Sequence, residues 1–176
     1  WRLTGLPLAL ALCLLAGLAQ AASIAWPWSG QPIGWLQVAS LAVLVAVMGV
    51  QPSWQRAAAM GGVFATAWLA LTWWWLFISM HVYGGLPAPL AALAVLALAS
   101  ALGLYYAAAA GVVGALASRG RSAAFALSFA GAWLLAELMR GRWFTGFPWG
   151  AGGYAHVEGP LAALAPWAGV YGIGFV

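Results

Sequence analysis

Nothing constrains the fold of this chain more than its repeated apolar runs. A hydrocarbon core of about 30 Å takes roughly 20 residues of α-helix. Runs of that order fall at 3–25, 33–50, 57–80, 89–117 and 123–139, with a shorter one at 161–176. Turn-forming residues separate them: Trp26-Pro27-Trp28-Ser29-Gly30, Gln51-Pro52-Ser53, Gly84-Gly85-Leu86-Pro87 and Arg119-Gly120-Arg121-Ser122. Lipid offers no hydrogen bonds, so each run must satisfy its own backbone as a helix. The expected fold is all-α, a polytopic transmembrane helix bundle of five helices plus the start of a sixth, forming one N-terminal transmembrane domain. The chain begins at Trp1 and its last run reaches Val176, so a fragment of something longer is expected.

Composition agrees. Of 176 residues, 66% are hydrophobic and 5% charged, against roughly 25% charged in soluble domains. Lys and Asp are absent, and the net charge of +4 comes from six arginines against Glu137 and Glu158. The arginines lie in the gaps between runs and read as topology determinants, so no nucleic-acid partner is expected. Alternate crossings put Arg2, Arg56, Arg119 and Arg121 on one side, and Arg140 and Arg142 on the other with both carboxylates. The positive-inside rule then places the amino terminus in the cytoplasm, with loops 26–32, 81–88 and 140–160 facing outward. The first run also imitates a signal peptide, with Arg2 before it and Ala19-Gln20-Ala21 near its end, but it is long enough to span and further spans follow. Leu12 before Cys13 does not suit a lipoprotein signal, which needs a small residue there.

Cys13 is the sole cysteine, which excludes an internal disulfide or Cys-rich metal centre. His81 and His156 have no carboxylate or Cys at helical spacing, so no metal and no cofactor is expected, and each reads as a hydrogen-bonded structural histidine. The fourth run, of about 29 residues, measures about 43 Å at 1.5 Å per residue and must tilt, bend or project. Its Gly103, Ala107 and Gly111, with Ala110 and Gly114 beside them, form a small-residue face for close helix packing. Trp73, Trp74 and Trp75 resemble an aromatic belt at the headgroup level. Successive helical residues turn by about 100°, so at least one of the three must face the bundle, where it could line an acyl-chain cavity.

Segment 137–159 gathers the scarce charges. A loop of about 20 residues exceeds the usual length of structureless connections, and Trp143, Phe144, Phe147, Trp149 and Tyr154 are poorly suited to disorder. It reads as an aromatic, Gly-rich lip over a cavity between helices. Glu137 and Arg140, three apart, form a candidate structural pair; alternatively Arg140 or Arg142 meets a lipid phosphate through its guanidinium fork. The candidate lipid-binding residues are Arg140, Arg142, Phe144, Thr145, Phe147, Pro148, Trp149, Tyr154, His81 and Trp75.

Glu137-Leu138-Met139-Arg140-Gly141, Phe144-Thr145-Gly146-Phe147-Pro148-Trp149, Gly153-Tyr154, Gly159-Pro160 and Ala165-Pro166 through Gly169-Val170 together resemble the bacterial apolipoprotein N-acyltransferases. Ser79-Met80-His81-Val82-Tyr83-Gly84-Gly85-Leu86-Pro87 is similar to the same family's third-helix exit. The likeness is sharp from about residue 74 to 175. It implies a bacterial inner-membrane enzyme, active on the periplasmic side, that transfers an acyl chain from a membrane phospholipid to the amino group of a diacylglyceryl-cysteine on an apolipoprotein. The family's Glu, Lys and Cys triad lies in a nitrilase-like domain, expected downstream. No catalytic residue can be carried over to this chain, which has no Lys and whose only Cys lies in the first run. A monomer is expected. A transporter or channel subunit is the alternative, weakened because no acidic or polar residue falls at mid-membrane in any run; a membrane scaffold without activity is another.

Overall fold

The computed structural model describes residues 5–116 and 123–175; Arg2, Arg119 and Arg121, which carry much of the topology argument, lie outside them. Among the described residues there is no strand. The helices are α1 (Leu6–Ile24), α2 (Gly34–Met48), α3 (Trp54–Thr72), α4 (Trp74–Ile78), α5 (Ala88–Leu116), α6 (Ala123–Arg142) and α7 (Ala165–Phe175). The expected all-α membrane bundle is therefore met.

The elements depart from the apolar runs in three places. The third run is two helices, α3 and α4 with its π-helical continuation Ser79–Tyr83, bent by 52° at Trp73. No Pro or Gly sits at the bend, which coincides with the one indole of the three that is turned inside. The second run stops at Met48, where Gly49 caps the helix and Gln51-Pro52 follows. Its 15 residues reach about 22 Å at 1.5 Å per residue, short of a 30 Å core. The sixth begins as a 3-10 turn at Pro160–Leu164 before α7, which bends at Gly169. By length and apolar character, α1, α5 and Ala123–Thr145 can cross a membrane, and the bent α3–α4 pair would make a fourth. Gly34–Met48 and Pro160–Phe175 are shorter apolar helices, so apolar run length locates the helices without fixing how many of them cross.

Helices in lipid gain little from burying apolar surface against each other, so close packing must hold them. α3 and α5 run antiparallel with small residues facing. A β-carbon on Gly61 would stand 2.5 Å from the Ala110 β-carbon and 2.8 Å from the Tyr106 carbonyl oxygen; one on Gly103 would meet Thr66 Oγ1 at 2.9 Å, and one on Gly114 the Ala57 β-carbon at 2.7 Å. The small-residue face of the fourth run is therefore the α5 surface that receives α3. Next to it lies an aromatic core: Trp68 stacks on Trp133 at 6.1 Å, and Phe64 and Tyr106 meet those indoles at 5.6 and 5.4 Å.

Gly61→Ala inserts a methyl where none fits and should cost about 1–3 kcal/mol, as overpacked cores do. Gly131→Ala, on α6 with nothing within 4 Å of the new carbon, should leave thermal stability in detergent unchanged. Equal melting temperatures for the two variants would contradict this packing.

Candidate functional site

The last turn of α6 carries a buried guanidinium. Arg140 is 0% exposed, and a charge so enclosed is stable only when its hydrogen bonds are met. Nε donates to the Tyr106 hydroxyl at 2.9 Å, and Nη1 donates to the carbonyls of Phe147 and Trp149. The indoles of Trp68 and Trp73 lie 6.0 and 5.9 Å from its central carbon, within cation–π range. Nη2 is enclosed without a hydrogen-bond partner.

These bonds tie down the lip. The Phe147 amide donates to the Arg140 carbonyl at 2.8 Å, and Trp73 Nε1 donates to the Trp149 carbonyl at 3.1 Å. The chain leaves α6 through a 3-10 turn at Trp143–Thr145. There Phe144 and Thr145 take φ of 52° and 74°, followed by Gly146 at 77°. The left-handed region costs an L-residue about 1–3 kcal/mol, and the pinned carbonyls on the far side hold the turn there. Gly146 is required: a β-carbon on it would fall 2.2 Å from the Gly141 carbonyl oxygen. The turn leaves Phe144 91% exposed.

A second anchor lies one helical turn back. The Glu137 carboxylate, also buried, accepts from the Gly152 amide at 2.9 Å. Around it α1 and α2 contribute a polar layer on the side of the bundle that carries the lip. Ser40 donates to the Gln20 side-chain oxygen, and His156 Nε2 donates to the Gln37 side-chain oxygen. His156 lies in the loop that follows α6, and burial lowers its pKa from the ordinary 6.5. With its amide nitrogen turned toward the carboxylate, Gln31 donates to both oxygens of Glu158 at 2.9 and 3.0 Å. Loops 26–32 and 140–160 therefore meet at one end of the bundle.

The candidate residues separate into two groups. Arg140 and Phe147 face inward: Arg140 is spent on the lip's own carbonyls and gives no fork to a lipid phosphate, while the Phe147 ring packs edge-on against Trp73 at 4.7 Å. The Glu137–Arg140 pair takes another form, since both side chains direct hydrogen bonds to the lip and Arg140 adds one to Tyr106. Arg142, Phe144, Thr145, Pro148, Trp149 and Tyr154 are exposed. Trp75 is half-exposed and meets Trp149 edge-on at 6.3 Å. The indole that turns inward is Trp73, which clamps the lip. His81 is exposed, its Nδ1 donating to the Leu86 carbonyl at 2.8 Å. Sequence reasoning missed Tyr106, Trp73, Gln20, Gln37 and Ser40 as partners of the lip; polar side chains inside apolar runs were the available signal.

Arg140→Met should release two lip carbonyls at about 1.5–3 kcal/mol per charged hydrogen bond. Trp73→Phe, which removes one neutral bond, should cost about 1 kcal/mol. Faster amide exchange at residues 143–150 checks both, and an order of effects other than Arg140 first would contradict this assignment. Because burial depresses the folded pKa of His156, its contribution to stability is complete above the ordinary value and fades as pH falls below it. The protection factor at residues 151–157, measured against intrinsic exchange at each pH, should fall as pH drops from 7.5 to 5, and His156→Gln should flatten that dependence.

The family model described as "Apolipoprotein N-acyltransferase N-terminal domain" matches residues 16–176. A protein named apolipoprotein N-acyltransferase from Verminephrobacter eiseniae is 64% identical over 93% of this chain and 31% of its own length. Proteins of the same name from Ralstonia nicotianae and Azotobacter vinelandii are 50% and 40% identical over 79% and 96% of the chain, and 27% and 31% of their own lengths. The chain thus spans under a third of these curated relatives. A family match across nearly all of its sequence, together with these identities, shows that the chain belongs to the apolipoprotein N-acyltransferases, through that family's N-terminal domain.

Proposed function

We propose that this chain is the membrane part of an enzyme of the bacterial inner membrane. The whole protein would transfer an acyl chain from a phospholipid to the amino-terminal diacylglyceryl-cysteine of an apolipoprotein. The observation that carries the reading is the lip: a strained, aromatic turn held rigidly from below by Arg140, Trp73 and Glu137, with its outer face left open. A site for two lipid substrates needs such a preorganised edge, since ordering it at the moment of binding would cost affinity.

In this reading the amino terminus is cytoplasmic and loops 26–32, 81–88 and 140–160 face the periplasm, as the arginine distribution favours. Arg142, Phe144, Thr145, Pro148, Trp149 and Tyr154 form the substrate side of the lip, with Trp75 and His81 flanking it. Bond-making belongs to a nitrilase-like domain downstream. There a Cys thiolate would attack the phospholipid ester and keep the acyl group as a thioester while the ester C–O bond breaks and the lysophospholipid leaves as its alcohol, protonated through a Glu, and Lys with backbone donors would stabilise the oxyanion. The membrane part would bring acyl donor and acceptor to the outer surface and support that domain from below.

Full-length protein incubated with phospholipid labelled in its acyl chain should carry a hydroxylamine-sensitive label, discharged by a diacylglyceryl-cysteine peptide. A folded full-length protein that never acquires the label would overturn the acyltransferase mechanism.

A further inference from the structure

Between the start of α2 and residues 155–161 lies a pocket of about 470 Å³ with a carboxylate in its wall. Pro32, Trp35, Val38, Pro160 and Leu161 give it apolar surface, and Glu158 and His156 are its titratable side chains. Glu158 is exposed and forms no ion pair among the described residues; its two oxygens accept from the Gln31 side-chain amide at 2.9 and 3.0 Å. A neutral amide steadies the carboxylate without cancelling its charge.

A second acceptor faces the same space. His156 Nε2 donates to Gln37, and burial lowers the ring's pKa, so near neutral pH Nδ1 keeps its lone pair. That atom lies between two glycines of the wall: an added β-carbon would stand 2.6 Å from it on Gly34 and 4.0 Å from it on Gly159. Gly34 also opens α2, whose amino-terminal dipole amounts to about half a positive charge and offsets only part of Glu158. The pocket is net negative, and no arginine lines it.

These groups select the occupant. A zwitterionic lipid headgroup would bring its phosphate beside Glu158 with no cation to receive it. A guanidinium prefers two carboxylate oxygens side by side, and the Gln31 nitrogen already bridges them. An ammonium is a point charge with three donors, suited to the remaining lone pairs of Glu158 and to His156 Nδ1, while its alkyl stem lies along the apolar walls. These 176 residues contain no lysine, and the chain spans under a third of its curated relatives. An exposed ion pair is worth at most about fivefold in an equilibrium. That is too little to recruit a separate polypeptide, but enough to orient one already tethered, whose effective concentration is high.

We infer that the Glu158 pocket seats one lysine of the nitrilase-like domain downstream and so fixes how that domain rests on the membrane part. That domain belongs to the proposed function, on which this seat rests.

Full-length protein in vesicles of phosphatidylethanolamine and phosphatidylglycerol, treated with a water-soluble carbodiimide and glycine ethyl ester, provides the test, because an activated carboxylate is joined to whichever amine stands against it. With no lysine in residues 1–176, a lysine cross-link from Glu158 within one molecule must reach beyond them. Peptide mapping should find Glu158 joined to one downstream lysine, and Glu158→Gln should remove that cross-link. Replacing the lysine so identified with Gln should leave Glu158 capped by glycine ethyl ester, and should quicken amide exchange at residues 155–161 about fivefold, a change in one domain caused by a substitution in the other. Glu158 capped by the small amine in the wild-type protein, joined to phosphatidylethanolamine, joined to a lysine of added apolipoprotein, or reached by no amine at all would each overturn the seat. The thioester assay reads separately: a Glu158–lysine cross-link in a protein that never forms the thioester keeps the seat and removes the acyl-transfer reading, while a thioester-forming protein whose Glu158 takes the small amine does the reverse.

Discussion

A buried guanidinium must be answered by acceptors, and at Arg140 the acceptors are the backbone of the lip. That requirement links elements far apart in sequence. The hydroxyl of Tyr106 on α5 meets Nε, the carbonyls of Phe147 and Trp149 meet Nη1, and Trp73 at the α3 bend supports the same Trp149 carbonyl. Breaking one partner leaves a charge or a carbonyl enclosed without compensation, which is far more costly than losing a surface bond. The strained φ values at Phe144 and Thr145 persist for this reason: the turn is closed on its far side before it can relax.

The polar layer beside Glu137 extends the same logic to the other half of the bundle. Gln20 and Gln37 lie near the ends of α1 and α2 that adjoin the lip, Ser40 lies close to the middle of α2, and they engage one another and His156. Such a layer is compatible with a bundle that organises the edge beside the lip, and among the described residues it offers no chain of acidic groups of the kind that marks ion routes. Apolar side chains and small residues fill the interior beneath it, where close approach of α3 and α5 supplies the cohesion.

Much of this was legible in the sequence, for identifiable reasons. Apolar run length reports helices reliably because lipid permits little else, and the spacing of Gly103, Ala107 and Gly111 foretold a packed face because only small residues let backbones approach. Rotation along a helix required one of the three tryptophans to turn inward. It could not say that Trp73 was the one, since that depends on a carbonyl 76 positions away. Likewise the Glu137–Arg140 spacing suggested a local pair, while both side chains in fact serve a loop whose path is set by Gly146 and by two residues in an uncommon backbone region. Local periodicity carries no information about such distant acceptors, and so the lip's supports were the part that sequence could not supply.

The shortness of α2 has a consequence for the surrounding lipid. A helix of 15 residues flanked by full-length neighbours leaves several ångströms of hydrocarbon unmatched, and a bilayer meets such mismatch by thinning or by admitting headgroups and water. α2 begins beside the His156 and Glu137 layer, so thinning at its outward end would fall near the lip. A lipid beside α2 would then have a thinner apolar layer around it than one beside α5. The protein would thereby shape the membrane as well as sit in it.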